Sequence, residues 1–292
     1  MNIAVNFIKG ILIGVANIIP GVSGGTMAVI MGIYERLTEA VGDFISNREK
    51  RPEYAAFLAV IAAGAAVGVL IFAKLFTWLL SSPVSTQHTY FFIAGLIIGS
   101  VPFIMKLHKD MKPSIIRVTL VLAAFVLVAA LSALGGGEEL TRKPEITSSL
   151  FGVLNFTEID LNHNLWLAFC GFLSAGAMVL PGISGSALLV SLGEYGNVLY
   201  IIDKRLVIPA AFFGVGVIAG IVLFAKIISV LLKRYPSETI YFILGLIIAS
   251  VYQIYDEIKG GLILAADVLA ASLVSLIAGY IVSYLSSRVS KV

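Results

Sequence analysis

Two short stretches of this chain combine residue types that can cradle an anion: "PGVSGGT", residues 20–26, and "PGISGSA", residues 181–187. Each sets a proline and glycines inside an apolar run, which breaks a membrane helix, and then offers hydroxyls where a new helix can begin. The first N–H groups of such half-helices, expected near Thr26 and Ala187, are unpaired and carry the positive end of the helix dipole. Glycine permits close approach and the hydroxyls add donors. Ser23, Gly24, Gly25, Thr26, Ser184, Gly185 and Ser186 are therefore candidate phosphate-binding residues. A glycine-rich packing kink is the other reading of one such motif; two related copies favour binding.

Lys74 and Lys226 lie inside apolar runs, each ten residues after the first glycine of a GxxxG pair (Gly64/Gly68 and Gly216/Gly220). Small residues at that spacing favour close helix packing and would turn a fixed face inward, adding both lysines to the candidate site. Snorkelling to the interface is the simpler alternative. Glu35 and Glu194 follow the two breaks. Pairing with the lysines, proton coupling and plain interfacial solvation all fit them.

The elements that must position these residues belong to a membrane protein. The 292-residue chain is 59% hydrophobic and 13% charged, with mean hydropathy +1.00. Soluble domains are closer to a quarter charged. A broken segment at 8–37 precedes apolar runs at 54–80, 89–105 and 115–134; a second, at 165–200, precedes runs at 209–232, 240–255 and 262–285. Each arm of the first break is about 12 residues, roughly 18 Å of helix, too short for the roughly 30 Å hydrocarbon core. The polar segment 135–164 reads as an extracytoplasmic connector. One cysteine and three scattered histidines leave no metal-ligand spacing, so no metal or cofactor is expected. A charge of +3 is too small to suggest nucleic acid.

The second half repeats the first. Pro20, Gly21, Ser23, Gly24, Gly32 and Tyr34 recur as Pro181, Gly182, Ser184, Gly185, Gly193 and Tyr195, an offset of 161 (181 − 20). Gly64, Gly68 and Lys74 recur at 152 (226 − 74), and "FFIAGLIIGSV" matches "YFILGLIIASV" at 150 (241 − 91). Three matches in order argue for duplication, with repeat 1 at 1–134 and repeat 2 at 165–292. If each broken segment is a re-entrant hairpin, each repeat has three spans and the second is inverted. If each crosses, the repeats are parallel. The inverted arrangement places 13 lysines and arginines on the cytoplasmic side against 5 outside; the parallel one gives 11 against 7. The positive-inside rule favours inversion, with both termini cytoplasmic. "DKR" at 203–205 is its weak point. The expected fold is thus an all-α polytopic protein of two inverted-topology repeats, each a re-entrant broken-helix hairpin plus three transmembrane helices.

On "GVANIIPGVSGGTMAVIMGIYE" and "GAMVLPGISGSALLVSLGEYGNVL" the chain resembles the polyprenyl-phosphate transporter family of prokaryotic membrane proteins, over nearly its whole length. The resemblance implies a flippase of the cytoplasmic membrane. It would return undecaprenyl phosphate from the outer to the inner leaflet for reuse in envelope synthesis, with the phosphate at the paired breaks. A more distant echo is the undecaprenyl-diphosphate phosphatases, whose P-G-x-S-R-S break uses an arginine. Gly24 and Gly185 stand at that position here, and the residues before Pro20, "GVANII", carry no acidic pair. A hydrolase would lack both charge stabilisation and a base, so no enzyme activity is expected. A small-anion secondary transporter remains the alternative. The expected partners are the polyprenyl phosphate lipid and the bilayer, and the GxxxG faces suit either internal packing or a homodimer. Cysteines placed at 44 and 204 in a Cys170-free background should label from opposite sides of the membrane; labelling from one side would exclude inversion.

Overall fold

A computed structural model describes residues 2–18, 23–106, 108, 110–134, 146–150, 154–157 and 160–289. The first half holds helices α1 (Ile3–Ile18), α2 (Gly24–Ile30), α3 (Tyr34–Gly42), α4 (Arg51–Leu79), α5 (Pro83–Ile104) and α6 (Ile115–Leu134). Strands β1 (Ile146–Leu150) and β2 (Leu154–Thr157) then pair antiparallel within the connector. The second half holds α7 (Leu161–Val179), α8 (Gly185–Ser191), α9 (Tyr195–Asp203), α10 (Val207–Arg234), α11 (Pro236–Ile258) and α12 (Ala266–Val289). The chain is therefore an α-helical membrane protein with one small β-hairpin. Among the described residues, five helices, α4, α5, α10, α11 and α12, are long and apolar enough to cross a bilayer, while α1 and α6 are apolar over shorter stretches.

The local sequence explains where the short helices stop and start. Ser23, in extended backbone, caps α2 by accepting the Thr26 N–H at 3.1 Å, so the helix starts at Gly24, two residues before the expected point. Gly32 (φ 65°) and Gly193 (φ 72°) end α2 and α8 in the left-handed conformation that glycine adopts without penalty. The N–H of Ile33 reaches the Ala28 carbonyl and that of Gly32 the Val29 carbonyl; Glu194 and Gly193 repeat this on Leu189 and Val190. Each pair of hydrogen bonds satisfies carbonyls that would otherwise be orphaned at the helix end and turns the chain into α3 or α9.

Helix pairing follows the small residues. A Cβ at Gly64 or Gly68 would overlap the Phe7 or Ile11 carbonyl of α1, and one at Gly216 or Gly220 the Ala168 or Phe172 carbonyl of α7. Both GxxxG faces are thus used within the chain. Equal steps of four residues on both partners mean that α1 runs parallel to α4 and α7 parallel to α10. The same holds for α5 and α12, where Gly95 meets Leu276 and Gly99 meets Tyr280. Arg117 reaches Glu238 at the starts of α6 and α11, and Gly245 meets Val121 further along, so this pair is also parallel. α5 and α12 are tied by Gln87, whose amide bonds both the Ile263 carbonyl (3.2 Å) and Ser272 Oγ (3.1 Å). α6 and α11 are tied by Arg117, which ion-pairs with Asp110 (2.8 Å) and Glu238 (3.1 Å). Asn155 of β2 donates to the carbonyls of Lys204 (2.6 Å) and Arg205 (3.1 Å), pinning the connector beside the start of α10.

These packings make an unequal pair of glycine positions. Gly216→Ala should destabilise the protein by roughly 1–3 kcal/mol through overpacking against Ala168, lowering the melting temperature in detergent. Gly214→Ala, two residues away with open space at its Cβ, should melt like the parent or higher.

Candidate functional site

The two breaks meet in space. Ser23 Oγ lies 3.0 Å from Thr26 Oγ1, and the backbone N–H of Gly182 donates to both, at 3.1 and 2.8 Å. Gly25 packs so tightly that a Cβ would press on the Val179 carbonyl and the Pro181 nitrogen. Tyr34, at the start of α3, donates its hydroxyl to the Val179 carbonyl at 3.0 Å. Asn17 Oδ1 accepts the Gly24 N–H at 2.9 Å, one of the orphan donors of α2. Gly182 itself stands at φ 83°, its α-carbon against the Leu246 carbonyl of α11. Pro20 and Gly21 lie outside the described residues.

Of the predicted cradle, the first half is enclosed: Ser23 is 6% and Thr26 0% exposed. The second is more open. Ser184 is half-buried and Ser186 exposed, with their hydroxyl oxygens 2.8 Å apart, while Gly185 is buried beneath them. Gly24 and Gly25 bring the backbone of the first tip against Asn17 and the second tip, and Gly185 packs under Met178 and the Ser174 carbonyl. What this geometry offers an anion is hydroxyl and amide donors in a low-dielectric setting, with glycine where a side chain would block approach.

The predicted charges fall in different places. Lys226 ion-pairs with Asp43, just past α3, and bonds Ser46 Oγ at 3.3 Å. Asp43 also takes Lys233 Nζ at 3.0 Å, and Lys233 reaches Glu39 at 3.4 Å. Tyr54 donates to Glu39 at 3.1 Å, and Lys50 lies 3.7 Å from it. Partial burial pushes the Asp43 carboxyl up, but its bonds and charge interactions with Lys226 and Lys233 outweigh this and hold it below the usual carboxylate range. The Asp43 contribution to the cluster is therefore in place at neutral pH and is lost as pH falls through that lowered value. The side chain of Lys74 lies outside the described residues.

Glu35 is exposed and lines a cavity of about 160 Å³ with Tyr34, His108 and the apolar Val29, Ile104, Leu232 and Ile243. Glu194 is fully buried; Asn197 Nδ2 donates to its Oε2 at 2.9 Å, and among the described residues Oε1 has no partner. Asp43, Glu39, Lys233 and Tyr54 were not among the predicted residues. Sequence carried one hint of them: a turn of acid at 39 and 43 follows the first break, where the second has Tyr200 and Lys204. A second cavity, an apolar groove between α5 and α11, is lined by Ile97, Ile98 and Val101 and by their equivalents at offset 150, Ile247, Ile248 and Val251.

Known proteins of similar sequence are transporters by name. A polyprenyl-phosphate transporter of Vibrio cholerae serotype O1 is 29% identical over 266 residues, 87% of this chain and 78% of its own length. A polyprenyl-phosphate transporter of Staphylococcus aureus is 29% identical over 297 residues, 98% of this chain and 96% of its own. No solved structure matches the chain. A family described as VCA0040-like, undecaprenyl phosphate translocase-like, matches residues 13–265, and with that match the chain belongs to this family.

Proposed function

We propose that this protein carries a polyprenyl phosphate from the outer to the inner leaflet of a prokaryotic cytoplasmic membrane, by alternating access between two inverted halves. The observation that carries the reading is the junction of the two tips, where Gly182 N–H meets the hydroxyls of Ser23 and Thr26. A phosphate has acceptor oxygens for the same donors. It would meet Ser184 and Ser186 first and reach Ser23 and Thr26 as Gly182 gives way. Lys226, and Lys74 in the other half, would supply charge on opposite sides. The relatives' names supply the substrate, and the glycines at 24 and 185, where a hydrolase would need arginine, favour carriage over cleavage.

Support for re-entrance and inversion comes from helix direction. Because α7 and α10 point the same way, the intervening α8 and α9 bring the chain back to the end where α7 began; α1 and α4 repeat the relation. Asn155 touches the 204–205 backbone just before α7 starts, which fits that return. Three spans per half then make α6 and α11 parallel, as their contacts require. Four crossings per half would make them antiparallel. Discontinuous helices meeting at depth across inverted repeats are a recurrent plan for carriers, because irregular backbone is tolerated there only under protein cover.

The test is reconstitution in liposomes with a fluorescent polyprenyl phosphate, following its leaflet distribution by quenching. Wild type should equilibrate the lipid at least about tenfold faster than a Ser23→Ala/Ser184→Ala/Lys74→Gln/Lys226→Gln variant, the loss expected from about 1.4 kcal/mol or more at the site. Equal rates would sink the proposal. Competition by soluble phosphate, without competition by the lipid, would favour the small-anion reading.

A further inference from the structure

We infer that Lys226, Lys233 and Ser46 form a second phosphate site at the inner face, and that Asp43 is a tethered counter-anion which occupies it and ejects the bound phosphate. This rests on the transport reading above and goes beyond it by assigning a release step.

The carboxylate of Asp43 bridges two ammonium groups, Lys226 on Oδ1 and Lys233 on Oδ2, while Ser46 Oγ approaches Lys226 from the side. Two oxygens of a phosphate monoester can span the same pair of donors, and its third oxygen can take the hydroxyl. Coverage is uneven in the way an exchange requires. The Asp43 side chain is 13% exposed, whereas Lys226 and Lys233 are 41% and 55% exposed, so an incoming anion reaches the cations first. Asp43 is held on the chain, so its effective concentration at the lysines is high and it competes continuously with a bound anion.

The cluster also closes the inner end. α3 packs on α10, with Gly42 against the Lys226 backbone, and the ion pairs fasten that contact between the halves. The second half does not repeat this. The positions equivalent to Asp43, Glu39 and Lys233 are Lys204, Tyr200 and Ser81, and Lys204 pairs with its own neighbour Asp203 at 2.9 Å. Among the described residues, α9 makes no comparable packing on α4. The inner side therefore has a competitor for the phosphate and the outer side has none at the equivalent position. A passive carrier cannot alter the leaflet equilibrium; Asp43 instead speeds release at one face.

Two measurements test this. Spin labels at Ile45 and Ile227, both exposed, in a Cys170→Ser background leave the cluster itself intact. Their separation should lengthen when a short-chain polyprenyl phosphate is added and not with the unphosphorylated polyprenol. Lengthening with inorganic phosphate as well would support the exchange and assign it to the phosphate group without the tail. An unchanged distance with both phosphates overturns the inference. In liposomes, Asp43→Asn should bind the fluorescent polyprenyl phosphate about threefold tighter and turn over more slowly by a similar factor, with Asp43→Glu restoring both. Wild-type affinity and turnover in Asp43→Asn would also overturn it. If wild type moves no lipid phosphate at all, the transport reading falls, while the label distance still decides whether phosphate replaces Asp43.

Discussion

A backbone that breaks inside an apolar protein must find partners for every N–H and C=O it frees, and this requirement organises the molecule. At bilayer depth each unmet group costs several kcal/mol. Ser23 and Thr26 meet it for the first tip and, through the Gly182 N–H, for the second. The second tip is completed by the first. The breaks are consequently tied to one another before any ligand is considered, and the helices that carry them must bring residues 23 and 182 together. The parallel pairs α1/α4 and α7/α10 fulfil this by laying each broken segment along a long helix, with glycines setting the backbones in contact.

The same requirement explains why the halves share their glycines but not the polar ties at their helix ends. Gly32 and Gly193 serve one backbone geometry, so both halves keep them. The ties at the ends of the helix pairs need only a local solution. Gln87 and His88 bind Ser272 in one pair, whereas at the equivalent offset Ser237 bonds the Asp110 carbonyl (2.6 Å) and Glu238 meets Arg117 in the other. Position is retained and residue type is not, because a hydrogen bond and an ion pair both fasten a helix end.

That distinction also sets what the sequence discloses. The broken segments, the apolar runs and the recurring Pro-Gly-x-Ser-Gly follow from composition and spacing, since few residue types can interrupt a membrane helix and start another. The role of Gly32 and Gly193 was visible only as recurrence. Their reason, a left-handed residue that turns α2 into α3 and α8 into α9, is a matter of φ. The pairing within the ion cluster was not legible. Asp43 and Lys226 are 183 residues apart, and their pairing depends on α3 lying across α10, which no local pattern encodes. The lysine was found because a charge within an apolar run is conspicuous. The aspartate was missed because it lies in a polar turn where charge is ordinary.

Under the alternating access proposed above, such asymmetry is what a two-fold carrier needs. Two halves identical in every contact would seal both faces equally, and the molecule would rest in an occluded state with no preference for opening. Here the shared elements, the tips and the glycine seams, give the halves one geometry. The unshared ones distinguish the ends: Asp43 and Glu39 fasten α3 to α10, and Lys204 and Tyr200 occupy the corresponding positions of α9. Ion pairs whose cations are this exposed contribute about 0–1 kcal/mol each. That is small against the glycine packing of the helices and large enough to bias an equilibrium between two arrangements of them. A weak latch laid over a strong symmetric frame can be opened by a ligand of ordinary affinity without loosening the frame itself.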